Sequence, residues 1–283
     1  MTNKATTIAF QGVHGAHADL ACRKGYPYLK TIPCKSFDAA LDAVQKGDAD
    51  YCMIPIENSK AGRVAEIHNI LPDTELFIIS EHFVRIEHHL MAPKGTKLED
   101  IKQVYSHPQA LMQTRNSIDE LLPEVEKVEY ANTALAAQQV GQWSDSSKAA
   151  IASELAAELY GLEILQRNVE DAEDNTTVFV TMGREPVDPD VEDGPVVTSL
   201  LFTARNIPAA LYKALGGFAT NHVNLFKIES YIPAGESKTA QFFISFEGSP
   251  NKKNVRLALE ELGFFCKKVK VLGVYHADQT RAS

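Results

Sequence analysis

The segment GREPVDPDVEDGP, Gly183–Pro195, divides this chain. It is rich in proline, glycine and acid and nearly devoid of apolar side chains, so it offers no face to bury and reads as a linker. Before it, apolar runs alternate with amphipathic stretches. Thr7–Gln11 reads as a strand, Gly12-Val13-His14-Gly15 as a turn and Ala16–Lys24 as a helix. Ser36 caps a helix with Phe37, Leu41 and Val44 on one face, Asp38 in its first turn and Gly47 as its stop. Leu76–Met91 reads as one or two long strands, and Gln103–Tyr105, Val128–Tyr130, Ala149–Ala152 and Thr177–Met182 as further strands. Ser106-His107-Pro108 opens a helix that continues through Leu122, with proline near its first position. Thr133–Gln142 and Glu154–Tyr160 are helices, the second ended by Gly161. This is an α/β pattern with crossovers. After the linker come a strand at Val196–Ala204, a helix at Pro208–Thr220, strands at Val223–Tyr231 and Thr239–Glu247, a helix at Asn251–Leu262 stopped by Gly263, and a strand at Phe264–Gly273. That order, β-α-β-β-α-β, is a ferredoxin-like unit.

The 283 residues suffice for two domains, and the net charge of −9 argues against a nucleic-acid partner, which needs a positive footprint. An anionic substrate would therefore need a local pocket of donors. Cys22, Cys34, Cys52 and Cys266 are scattered, without paired spacing, and read as reduced thiols of a cytoplasmic protein. Neither a signal peptide nor an apolar span of about 20 residues is apparent, so no membrane element is expected. The nine histidines match no metal-ligand framework, and neither a metal nor a cofactor is expected.

Tyr51–Leu71 is the most informative stretch. An apolar run, Tyr51 to Ile54, ends at Pro55; Glu57, Asn58 and Ser59 follow; Gly62 then permits a close backbone approach, and Val64, Ile67 and Leu71 mark the buried side of a helix. A strand opening onto a helix N-terminus through polar side chains suits an anion. The same residue types also serve simply as a turn and helix cap. A second polar island, Asn175-Thr176-Thr177-Val178-Phe179, is ordinary strand composition taken alone.

Taken in order, Pro55–Ser59 with Gly62 and Val64, Ser106–Gln109 with Gln113, Ala150–Leu162 and Asp174–Phe179 resemble the catalytic domain of prephenate dehydratases. Ile207–Leu215 and Asn224–Ser230 resemble an ACT domain, a small amino-acid-sensing module. The resemblance covers nearly the whole chain. It implies a two-lobed, periplasmic-binding-protein-like α/β catalytic domain over residues 1–183, with lobe one about 7–83 and 169–182 and lobe two about 84–166. A linker at 184–195 and a ferredoxin-like α+β ACT domain at 196–276 would follow.

The implied reaction removes CO₂ and water from prephenate to give phenylpyruvate, with aromatisation as the driving force. Thr177 matches the family's catalytic threonine and would donate a hydrogen bond to the leaving hydroxyl, or relay a proton from Glu57, whose pKa burial would have to raise. Asn58, Ser59, Ser106 and Gln113 would bind substrate oxygens, with Phe179 beside them. Phenylalanine would act as feedback effector, held between ACT domains of two subunits near Ala210, Leu211, Asn221, Asn224, Leu225, Glu229 and Ser230. A homodimer or homotetramer is implied.

The sequence departs from the family pattern at four places. Val178 stands where arginine normally follows the threonine. Since arginine would repel the ammonium that arogenate carries in place of prephenate's keto group, this exchange predicts acceptance of arogenate as well as, or better than, prephenate, with an arogenate-specific dehydratase as the alternative. Ala16, His17 and Ala18 stand where threonine, an aromatic and serine are usual, Ala209 replaces a glycine, and Glu229-Ser230-Tyr231-Ile232-Pro233 lacks the motif's arginine. A non-catalytic small-molecule sensor is the rival reading.

Overall fold

The computed structural model describes residues 6–190, 192–232 and 240–282. Apolar runs become strands and the stretches between them become helices. In order these are β1 (Thr7–Gln11), α1 (His17–Gly25), β2 (Lys30–Cys34), α2 (Phe37–Lys46), β3 (Tyr51–Asn58), β4 (Gly62–Arg63), α3 (Ala65–Ile70), β5 (Phe77–Arg85) and β6 (His89–Pro93). Then follow β7 (Gln103–Ser106), α4 (Pro108–Gln113), α5 (Arg115–Leu121), β8 (Glu126–Glu129), α6 (Thr133–Trp143), β9 (Lys148–Ala152), α7 (Glu154–Tyr160), β10 (Leu162–Gln166) and β11 (Thr176–Gly183). After β11, with Val191 outside the described residues, come β12 (Val196–Ala204), α8 (Ala210–Thr220), β13 (Leu225–Tyr231), β14 (Gln241–Glu247), α9 (Lys253–Phe265), β15 (Cys266–His276) and α10 (Gln279–Ala282). The sheet orders are β2-β1-β3-β11-β5 with β4 on β3, β10-β6-β9-β7-β8, and β13-β14-β12-β15.

The chain divides into two units. One comprises Met1–Ala40, Glu57–Gly62 and Val84–Val178. Here β7 runs parallel to β8 and β9, while β6 runs antiparallel to β9 and β10. Alternation along the strands sends Leu90, Ala92, Val104 and Ile151 to one apolar cluster, and Met91, Tyr105, Ala150 and Ala152 to another. Successive side chains on a strand point to opposite faces, so the two clusters fill the two faces of this sheet.

The second unit comprises Leu41–Ile56, Arg63–Phe83 and Phe179–Ser283. Its antiparallel sheet pairs β12 with β14 and β15, and β13 with β14. Leu200, Phe202, Ile244 and Phe246 of the sheet pack with Ala214 and Phe218 of α8 and Val255, Ala258 and Leu262 of α9. The expected β-α-β-β-α-β order is present.

Several elements differ from the sequence reading. β3 runs through Pro55 to Asn58, and a tight turn with Gly62 at φ +77° leads to β4 before α3. The polar triplet therefore ends a strand and does not meet a helix N-terminus directly. The helix after Pro108 breaks at Thr114, whose hydroxyl donates to Ala110 O at 2.9 Å. That back-bond competes with continued helix. The strand β10 had no counterpart in the reading. α9 continues through Gly263 to Phe265, which packs against the core; packing there overrides the weak helix preference of glycine. Pro233 and Thr239 lie outside the described residues.

Candidate active site

Asn58 organises the first unit's polar centre. Its side-chain oxygen accepts from the backbone N–H of Lys60 at 3.0 Å and of Ala61 at 2.8 Å. Backbone N–H groups only donate, so the amide's orientation is fixed and its nitrogen faces the other way. There Nδ2 donates to Thr177 Oγ1 at 2.9 Å and to Asn175 Oδ1 at 2.8 Å. Ser59 holds the two segments together: its hydroxyl donates to Asp174 O at 2.7 Å and accepts from Thr176 N–H at 3.0 Å, and its own N–H donates to Thr176 O at 2.8 Å.

The polarity propagates. Asn175 turns its nitrogen to Gln113 Oε1 at 3.3 Å. Gln113 therefore presents an acceptor, and His88 Nε2, 3.2 Å from the same oxygen, must carry the proton. His88 is itself pinned, since its N–H donates to Glu170 Oε2 at 2.9 Å and its carbonyl accepts from Val169 N–H at 2.8 Å. Burial lowers the His88 pKa from the ordinary histidine range, with the Gln113 hydrogen bond and Glu170 opposing it. Gln113 ends α4, which Pro108 begins and His107 caps, its Nδ1 accepting from Gln109 N–H at 3.2 Å.

The β1–α1 turn is fixed from both sides. Asp19, fully buried, accepts from Gly15 N–H at 2.9 Å and Arg23 Nε at 3.1 Å. Ser153 Oγ donates to Gly15 O at 2.6 Å and Tyr160 OH to His14 O at 2.5 Å. Gly15 has φ +87°, and a Cβ there would stand 3.0 Å from the Ala156 Cα. This packing seats His17 edge-on to His88, ring centroids 5.3 Å apart.

Of the expected site residues, the structure brings together Asn58, Gln113 and Thr177, the last only 8% exposed. Ser59 is exposed and its hydroxyl is used in the clamp described above. Ser106 is fully buried and gives its hydrogen to Ile151 O at 2.6 Å, so its expected contact with substrate finds no support in the geometry. Alternation along β3 points Glu57 away from the Asn58 side, and alternation along β11 places Phe179, buried, on the Thr177 side and Val178, also buried, on the other. The argument from the missing arginine assumed a side chain beside Thr177, and the strand geometry does not provide that. Sequence reasoning passed over Asn175, His88 and His17. Asn175 heads the second polar island, where it had no role assigned; the histidines were weighed as metal ligands, and His17 also as a departure from the family's aromatic. Among the described residues no three His, Cys, Asp or Glu side chains gather to hold a metal.

In the second unit, Glu229 forms an ion pair with His68 at 2.6 Å and another with Lys227 at 2.9 Å. Burial alone would push the Glu229 carboxyl up; His68 and Lys227 outweigh it and hold the pKa at about 2. Tyr231 and Phe243 enclose the His68 ring edge-on. Asn221 donates to Gly217 O and Glu261, Asn224 to Glu247, and Ser230 O accepts from Arg63. Ala210 and Leu225 are half-buried, and Leu211 is exposed. Ala209, at φ +59°, occupies the left-handed conformation that favours glycine.

A mixed α/β fold carries a buried threonine joined to a directed amide relay, and a ferredoxin-like α+β module follows it in the chain. A family model described as prephenate dehydratase matches residues 8–187. A bifunctional N-acyl-homoserine lactone acylase/prephenate dehydratase of Komagataeibacter europaeus is 45% identical over 99% of each chain. Arogenate dehydratase/prephenate dehydratase 1, chloroplastic, of Arabidopsis thaliana is 37% identical over 97% of this chain and 73% of its own. The crystal structure of a prephenate dehydratase in complex with L-Phe from Arthrobacter aurescens has a TM-score of 0.86 at 32% identity, covering 96% of this chain and 90% of that one. The chain belongs to the prephenate dehydratase family. Among the described residues, no helix is long and apolar enough to cross a membrane.

Proposed function

We propose that this chain catalyses decarboxylative dehydration of prephenate to phenylpyruvate, accepts arogenate as well, and responds to phenylalanine. The observation that carries the reading is the direction of the Asn58–Thr177 hydrogen bond. Because Thr177 Oγ1 accepts from Asn58, its own hydrogen is available for the substrate's leaving hydroxyl. In the reaction the bond from ring carbon to carboxylate breaks and CO₂ leaves. Its electron pair completes the aromatic ring as the opposite carbon–oxygen bond breaks, and the departing hydroxide takes up a proton to leave as water. A hydroxyl is a weak acid, so Thr177 stabilises the departing oxygen by hydrogen bonding while a stronger acid or solvent water supplies the proton; β3 turns Glu57, the donor expected from the sequence, away from this side. Gln113 Nε2, opposite the oxygen used in the relay, is suited to a substrate carboxylate.

Support for arogenate comes from the Arabidopsis relative's name and not from Val178. Support for phenylalanine as effector comes from the L-Phe complex of the Arthrobacter protein. In this reading residues 1–183 carry catalysis, 196–276 bind phenylalanine between two subunits of a homodimer or homotetramer, and the protein is cytoplasmic and needs no cofactor. Incubation with prephenate or arogenate, following phenylpyruvate or phenylalanine, tests it; binding without turnover would identify a sensor instead.

A second reading, added to the first, is hydrolysis of N-acyl-homoserine lactones. It is favoured by the 45% identity to the bifunctional Komagataeibacter relative, end to end. Release of homoserine lactone from an N-acyl-homoserine lactone would establish it, and its absence would restrict the chain to dehydration.

A further inference from the structure

Three ring nitrogens lie unused at the far end of the amide relay. His17 Nδ1 and Nε2 are both buried and without a hydrogen-bond partner among the described residues. His88 spends its Nε2–H on Gln113, and its Nδ1 is likewise buried and unpartnered. The rings meet edge to face at 77°, centroids 5.3 Å apart, and neither serves as the other's partner. The placement is enforced by the packing of Gly15 on α7 and by the Asp19 and Ser153 contacts that fix the turn before His17. Buried polar groups in native proteins are nearly always satisfied, so several unsatisfied nitrogens in one place call for a partner, whether an ordered water or a bound ligand.

Burial, reinforced by His88 and His89, lowers the His17 pKa to about 3. The ring is therefore neutral at physiological pH and offers one N–H donor and one lone pair. A phenylalanine at this position would fill the volume and offer neither.

We propose that His17 is a specificity-determining, substrate-binding residue that meets the keto oxygen of prephenate's side chain, or the ammonium that replaces it in arogenate. The inference rests on the dehydratase reading above. A neutral imidazole suits both partners: its N–H donates to the keto oxygen, and its lone pair accepts from the ammonium. A lysine or arginine would repel the ammonium, and a carboxylate would repel the keto oxygen. His88 acts as a positioning residue, holding Gln113 on one side and the edge of the His17 ring on the other.

Steady-state kinetics on both substrates test this with two variants. His17→Phe keeps the ring and its edge contact and removes both nitrogens; KM is expected to rise about tenfold for each substrate while kcat changes less than about threefold. His17→Gln carries a donor and an acceptor in one amide and is expected to recover KM to within about threefold of wild type. A third measurement is independent of any variant's folding. Full-length wild-type protein labelled with ¹⁵N-histidine is titrated with phenylpyruvate, the unreactive keto product, and the His17 nitrogens are expected to shift on saturation. Folded His17→Phe with unchanged KM for both substrates, or His17 signals unmoved at saturation, would overturn the proposal while the dehydratase reading stands. A wild-type chain that turns over neither prephenate nor arogenate would overturn the dehydratase reading and this proposal with it.

Discussion

Asn58 Nδ2 donates to Thr177 Oγ1 across 2.9 Å, although the two residues are 119 positions apart in the chain. The direction of that bond is set by the turn at Lys60 and Ala61, and it decides which way the threonine's hydrogen points.

Asn58→Asp tests the direction. A carboxylate still accepts from Lys60 and Ala61 but cannot donate, so Thr177 would turn its hydrogen inward. Loss of a preorganised donor predicts a kcat lower by roughly 10²–10³ with the fold retained. A variant with near wild-type kcat on prephenate would show that the hydroxyl's orientation does not matter.

Val178→Arg distinguishes the strand geometry from the sequence-based argument about arogenate. Val178 is 8% exposed and faces away from the Thr177 side. An unpaired guanidinium there is expected to cost about 3 kcal/mol or more of stability and to leave the prephenate-to-arogenate ratio of kcat/KM unchanged within about twofold. A stable variant that gains preference for prephenate would restore the arginine argument.

Ala209→Gly is expected to stabilise the second unit. At φ +59° an alanine is strained and a glycine is not. The strain, less the entropy that glycine adds to the unfolded chain, gives a gain of up to about 1 kcal/mol. Urea midpoints of the two proteins measure it directly, and a lowered midpoint would mean the alanine side chain contributes packing that outweighs the strain.

Glu229→Gln addresses pH. The Glu229 pKa falls from an ordinary 4.5 to about 2 in the folded chain. A depressed carboxyl contributes stability that is fully present above the unfolded value and is lost as pH falls toward the folded one. Wild type should therefore lose stability between about pH 4.5 and 2, and the glutamine variant should show less acid dependence across that window and a lower midpoint at neutral pH. Parallel acid profiles for the two proteins would remove Glu229 from the account.

The sequence by itself determined the elements and the neighbourhood of the site. Thr7–Gln11, Glu154–Tyr160 and Val196–Ala204 were legible to the residue because periodicity, caps and stop signals act within a few positions. Asn58, Gln113 and Thr177 were legible through the family resemblance. The tertiary structure alone decided what those side chains do. It committed the Ser106 hydroxyl to Ile151, turned Val178 away from Thr177, joined Asn175 to the relay and set two histidines at its end. The reason is physical: helix and strand preference is stored locally, whereas the partner of a hydrogen bond, and its direction, exist only once distant segments have packed together.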